Sequence, residues 1–154
     1  MLRLGGVGIF PQPTAPADPG ELLPNRRLVL WPYTRMNDER VTWGDQAVLV
    51  KAVPQLPPVK FGYLNLDGWM GYAIDGLLFV KRFRVLKDGE YPDYGCNCET
   101  YANHRFIELE TLGPLIYLQP GGSVTLVEEW EVMEGLEQPF LSPEIQQAVM
   151  AQKP

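Results

Sequence analysis

The side chains with the most chemical potential gather between residues 94 and 132. In an extended chain, alternate residues share a face. Asn97, Glu99, Tyr101 and Asn103 therefore point one way, and Cys96, Cys98, Thr100 and Ala102 the other. The small set reads as a packed side, the large polar set as a cleft or a solvated face. On the next strand, Phe106, Glu108 and Glu110 oppose Ile107 and Leu109. Carboxylates, amides and rings on one sheet face suit a sugar: polar groups meet its hydroxyls, and rings stack on its apolar face. The candidates for binding are thus Asn97, Tyr101, Asn103, Glu108 and Glu110, with His104 at the turn between the two strands. A solvated sheet face with ordinary polar residues is the plain alternative.

Two further charges stand out against apolar neighbours. Val124, Leu126, Glu128, Trp130 and Val132 share a face, as do Leu77, Phe79, Lys81, Phe83 and Val85. A buried charge is costly unless paired, so either Lys81 and Glu128 pair or each reaches a polar cleft; Lys81 joins the binding candidates on that ground. The bland reading is a snorkelling Lys81 and an edge position for Glu128. Cys96, Cys98 and His104 do not have the spacing of a zinc site. No phosphate loop, nucleophile elbow, C-x-x-C or H-E-x-x-H motif occurs. Gly5-Gly6-Val7-Gly8 follows no strand and is a poor phosphate loop. No metal site and no cofactor is expected.

The elements that must position these residues are short strands. Turn residues are dense, with 15 Pro and 15 Gly, and 17 aromatic residues lie between them. That pattern favours an all-β domain. Strands are expected at about 27–31, in QAVLVKAV, KFGYLN and WMGYAI, and along LLFVKRFRVL, with Asp75-Gly76 as a hairpin turn. NDERVTWGD reads as a turn with a short helix. Further strands are expected at about 96–102, 105–111 and 114–118, and a last one through VTLVEEWEVM after the turn Pro120-Gly121-Gly122. Ser142-Pro143-Glu144 has the form of a helix start, which predicts a short helix over about 143–151. Residues 1–26 carry five prolines and few large apolar residues after Phe10, and read as an extended arm. The domain is then 27–154.

A chain of 154 residues is one domain by length and can bury a core without staples. Its net charge is −6, which argues against nucleic acid and against an anionic membrane as partners. No apolar run is long enough for a membrane helix, and the broken N-terminal run is too short for a signal peptide. Cys96 and Cys98, two apart, cannot close an unstrained bridge. They read as free thiols in a reducing, cytoplasmic compartment.

The segments PNRRLVLWPYT, VTWGD, DGWMGYAIDGLLFVKRF, YPDYGCNCETYANHRFIELETLGPL and LQPGGSVTLVEEWEV carry a resemblance in their order and spacing. Across 24–133 the chain resembles the C-terminal half of an uncharacterised bacterial family in the galactose-mutarotase-like β-sandwich group. The resemblance implies an antiparallel sandwich with a sugar in an open cleft. GCNCETY is similar to the mutarotase segment that carries the general base, which implies Glu99 in that catalytic role. The histidine acids of the mutarotases belong to a half that this chain lacks, and His104 does not match their motif.

The reading is therefore a truncated all-β antiparallel sandwich of the galactose-mutarotase-like type with a short C-terminal helix. Its expected function is non-catalytic carbohydrate binding. The alternatives are an aldose epimerase-like enzyme with Glu99 as base, or a structural self-assembly module. Half of a larger sandwich leaves an open edge or an apolar face, so a homo-oligomer is expected, with the arm or an edge strand at its interface.

Overall fold

The computed structural model describes residues 1–13 and 24–134. Two antiparallel sheets make up nearly all of it. The first has five strands: β1 (Leu2–Arg3), β3 (Val29–Leu30), β6 (Val59–Tyr63), β9 (Cys98–Ala102) and β10 (Phe106–Thr111), in the order β1-β10-β9-β6-β3. The second has six: β2 (Val7–Pro11), β4 (Val41–Trp43), β5 (Ala47–Lys51), β7 (Trp69–Ile74), β8 (Leu77–Phe83) and β11 (Glu128–Glu134), in the order β11-β8-β7-β2-β5-β4. The architecture is an all-β sandwich. The four-residue turn Pro92–Gly95 is the one helix-like element among the described residues. The short helix expected near residue 40 is absent; Val41–Trp43 is a strand instead. No helix among the described residues is long and apolar enough to cross a membrane. The helix expected at 143–151 lies outside the described residues.

Alternation explains the core between the sheets. Phe10, Val48, Val50, Met70, Tyr72 and Phe83 from the six-stranded sheet meet Val59, Phe61, Tyr63, Cys98, Ala102 and Ile107 from the five-stranded one. Phe61 lies at the centre, edge-on to Phe10 at 5.4 Å between ring centroids and tilted against Trp43 at the same separation. The small residues Cys98, Thr100 and Ala102 do form the packed side of β9, and both cysteines are buried free thiols. The outer face of the six-stranded sheet holds a second buried apolar cluster, which includes Ile9, Leu49, Trp69, Leu78 and Val80. The Asp75-Gly76 turn joins β7 to β8 with both residues at positive φ, 50° and 77°, the geometry a tight hairpin needs.

Three expectations need correction. Residues 1–13 are no arm: β1 is paired with β10, and β2 sits inside the six-stranded sheet between β7 and β5. The glycines hid this strand, because they look like a linker but serve close packing. A Cβ on Gly8 would lie 2.8 Å from the Phe10 ring and 2.9 Å from Ile107 Cδ1. Second, 114–118 is not a strand, because no described strand lies beside it to form a ladder. Third, the face of β11 that carries Glu128 is not apolar interior. Trp130 and Val132 are 69% and 61% exposed, since among the described residues β11 is an edge strand with nothing packed over it.

Lys81 and Glu128 nevertheless pair. Lys81 Nζ lies 3.0 Å from Glu128 Oε1 and donates to the Leu109 carbonyl at 2.6 Å. It thereby ties β8, the strand next to the β11 edge of one sheet, to β10 of the other. Burial opposes ionisation of Glu128, but hydrogen bonds from Lys81 and Trp130 outweigh it and hold the carboxyl below its usual range.

Candidate functional site

The outer face of the five-stranded sheet brings together the side chains that the core excludes. On β6, Val59, Phe61 and Tyr63 point inward, so Lys60 points outward. In the β10–β9 ladder Glu110 is opposite Glu99 and Glu108 opposite Tyr101; in the β6–β9 ladder Lys60 is opposite Tyr101 and Gly62 opposite Glu99. Gly62 is required there, because a Cβ would come within 2.8 Å of both Glu99 Cγ and Cys96 Sγ. The space it leaves lets Glu99 lie flat over β6 and reach Lys60.

Lys60 Nζ is 2.8 Å from Glu99 Oε2 and 3.0 Å from Glu110 Oε2. It also stands 4.7 Å from the centroid of the Trp31 ring, a cation–π distance. Thr34 fixes the loop that carries Trp31: its hydroxyl accepts from Lys60 N at 2.9 Å and donates to the Lys60 carbonyl. The same loop places Tyr33 edge-on to Tyr101 at 6.5 Å, and Tyr101 rests against Phe106 at 6.0 Å. Tyr33 is exposed and Trp31 half-buried, so aromatic surface borders the charged cluster on its open side.

Glu99 is 1% exposed, and its Oε1 has no hydrogen-bond donor among the described residues. Burial pushes its carboxyl upward; the Lys60 hydrogen bond and charge oppose this, and the Asp93 carboxyl and the Glu110 charge add to it. For Lys60 burial is the largest influence and would lower it, but hydrogen bonds to two carboxylates prevail and hold the ammonium well above its usual range. One lysine serves two acids, so the lysine gains more than either acid does. Burial, then the charge of Glu110, raises Glu108.

The turn before β9 is strained. Asp93 and Tyr94 both sit in the left-handed region, at φ 50° and 60°, which costs a non-glycine residue on the order of 1–3 kcal/mol each. Cys96 secures the turn through its N–H to the Pro92 carbonyl at 2.8 Å and through its Sγ, 3.1 Å from the Asp93 carbonyl. Burial pushes the Cys96 thiol up to about 12, with Glu99 and Asp93 contributing, so it is no nucleophile at neutral pH. Tyr94 projects into solvent, 86% exposed.

Of the residues expected from the sequence, Glu99, Tyr101, Glu108 and Glu110 come together on this face. Three others are placed elsewhere, and Asn103 stands at the margin. Asn97 precedes β9 and is locked onto Asn65, accepting from its N–H at 2.7 Å and donating to its carbonyl at 3.0 Å. Asn103 caps the β9–β10 turn, its Oδ1 accepting from Arg105 N and Phe106 N, while its Nδ2 donates to the Tyr101 hydroxyl at 3.4 Å. His104 is exposed at that turn and meets Arg105 Nε at 3.2 Å. Lys81 lies on β8 and is held by Glu128 of the edge strand, as described above. Lys60, Trp31, Tyr33 and Asp93 were not among the expected residues. The alternation in VKFGY already pointed Lys60 outward, but nothing local pairs β6 with β9.

The described residues contain no group of three or more histidine, cysteine or acidic side chains able to hold a metal ion. Comparison of the chain with protein-family models, with curated proteins and with solved structures gives no match in any of the three.

Proposed function

We propose that the chain is a carbohydrate-binding domain whose site is the outer face of the five-stranded sheet. One observation carries this reading: Lys60, Glu99 and Glu110 form a single hydrogen-bonded cluster bordered by Trp31, Tyr33 and Tyr101. Sugar hydroxyls take donors from an ammonium and acceptors from carboxylates in one plane, and the apolar ring face takes an aromatic neighbour. Glu110, whose side chain is 29% exposed, offers the cluster's acceptor to a hydroxyl. Assignment of the sandwich to the galactose-mutarotase-like type is part of the proposal. Its support is the antiparallel two-sheet architecture and the position of Glu99 on an outer sheet face. A cytoplasmic setting is also part of it, supported by two buried free thiols.

A second reading, catalysis on a sugar with Glu99 as general base, is favoured by the upward push on that carboxyl, which brings a base nearer to working pH. His104 does not supply the acid partner, because it sits at the β9–β10 turn against Arg105.

Isothermal titration with hexoses and short oligosaccharides tests the proposal. Weak binding is expected, in the range where loss of one charged hydrogen bond is measurable. Glu99→Gln should weaken it at least about ten-fold, and Tyr33→Ala should weaken it as well. Binding unchanged in Glu99→Gln removes Glu99 from the site, and no binding to any glycan removes the carbohydrate reading. Turnover of an aldose anomer that disappears in Glu99→Gln would favour the catalytic reading.

A further inference from the structure

The segment between β10 and β11 leaves the body of the sandwich and exposes apolar side chains throughout. Leu115, Ile116, Leu118, Val124 and Val127 are each half or more exposed, and Tyr117 is fully so at 103%. No charged residue occurs between Leu112 and Val127, in a chain of net charge −6. Within residues 115–126, the backbone hydrogen bonds among the described residues are Leu115 N to the Glu90 carbonyl at 2.7 Å and the turn bond Gly122 N to the Gln119 carbonyl at 2.8 Å. The β-branched and aromatic residues on either side of that turn suit a strand, yet among the described residues they have no ladder to join.

We propose that this projecting segment is the dimerisation surface of the protein, and that its occupant is the same segment of a second copy. Area is the first argument. Seven large apolar side chains between residues 115 and 127 are substantially exposed. At on the order of 100 Å² each they present on the order of 700 Å². That exceeds the largest patch of a typical monomer, about 300–600 Å², and approaches the roughly 800 Å² per partner of a stable interface. Charge is the second. Two copies repel through their net charge, and β11 against β11 would oppose Glu128, Glu129, Glu131 and Glu134 to their own kind, which is destabilising. The neutral segment is where two acidic copies can approach without that repulsion. Backbone is the third: an extended, unpaired chain can add to another as a strand, so contact between two such segments satisfies N–H and C=O groups as well as burying side chains.

The proposal is independent of the carbohydrate reading, because the segment shares no residue with the Lys60 cluster. Sedimentation velocity of the full chain at micromolar concentration should give about twice the monomer mass of 17.4 kDa. The double variant Tyr117→Asp, Val124→Asp changes two exposed side chains and should leave the far-UV circular dichroism unaltered. It should weaken the dimer at least about ten-fold, the loss expected from a charge placed in an interface core. If the double variant fails to fold, Tyr117→Ser is judged by the same criterion. A native chain that stays monomeric, whether its own residues 135–154 or an unrelated partner covers the segment, overturns the proposal. So does a dimer that persists unchanged in the folded variant.

Discussion

Lys60 and Glu99 depend on each other more than a surface pair does. The Glu99 side chain is 2% exposed and that of Lys60 16%, so neither water nor salt replaces the partner cheaply. Lys60→Met leaves Glu99 and Glu110 without their cation. Destabilisation of about 3 kcal/mol is expected at pH 8, measured by urea unfolding. The sign of the pH dependence follows from the upward push on Glu99. A carboxyl raised in the folded state is protonated there first, so folding is favoured at low pH and penalised as pH rises past its ordinary 4.5. Without Lys60 the push is stronger, and the cost of Lys60→Met should shrink toward pH 5. A cost that does not change with pH would show that Glu99 is not buried as a charge. The Lys81–Glu128 pair is milder, because the Glu128 side chain is 22% exposed. Glu128→Ala should cost about 1–2 kcal/mol, less than the loss from a fully buried pair, and thermal stability within error of the native chain would contradict the pairing.

Elements are held in place by a few buried polar contacts and by close-packed glycines. Arg40, 1% exposed, meets Asp38 with two nitrogens, Nε at 2.8 Å and Nη2 at 2.7 Å, and donates to the carbonyls of Gln55 and Pro57. It thus ties the chain before β4 to the connection between β5 and β6, and so holds the β6 strand that carries Lys60. Hydrogen bonding from Arg40 holds the Asp38 carboxyl below its ordinary 3.8. Its contribution to stability is therefore complete above that value and lost as pH falls through the lower folded value. Asp38→Asn should lower stability at pH 7 and flatten the acid limb of the stability curve, as read by thermal unfolding between about pH 2 and 5. Gly8→Ala should cost about 1–3 kcal/mol, since its methyl would meet Phe10 and Ile107 in the core.

At the scale of the molecule, the N-terminal residues complete both sheets. β1 covers one edge of the five-stranded sheet, and β2 joins β5 to β7 in the other. Deletion of residues 1–13 removes an interior strand, so the remaining chain should show no cooperative thermal transition. A deletion variant that unfolds cooperatively near the native midpoint would mean that β5 and β7 can close on each other.

Period-two alternation was enough to read most strands and the inward side of β9, because a strand's faces are set by local geometry, and the Asp75-Gly76 pair marked the hairpin. It also marked Glu99, Tyr101, Glu108 and Glu110 as neighbours, since β9 and β10 are joined by a short turn that sets their register. What alternation could not supply was the pairing of strands distant in sequence. Lys60 reaches Glu99 only because β6 lies beside β9, and Trp31 reaches Lys60 only because β3 lies beside β6. Asn97 left the expected face because β9 begins only at Cys98, after it, and parity has no meaning outside a strand. The glycines of residues 5–8 read as a linker because a sequence does not reveal what a Cβ would strike; Phe10, Tyr72 and Ile107, drawn together from three strands, decide that those positions must be bare.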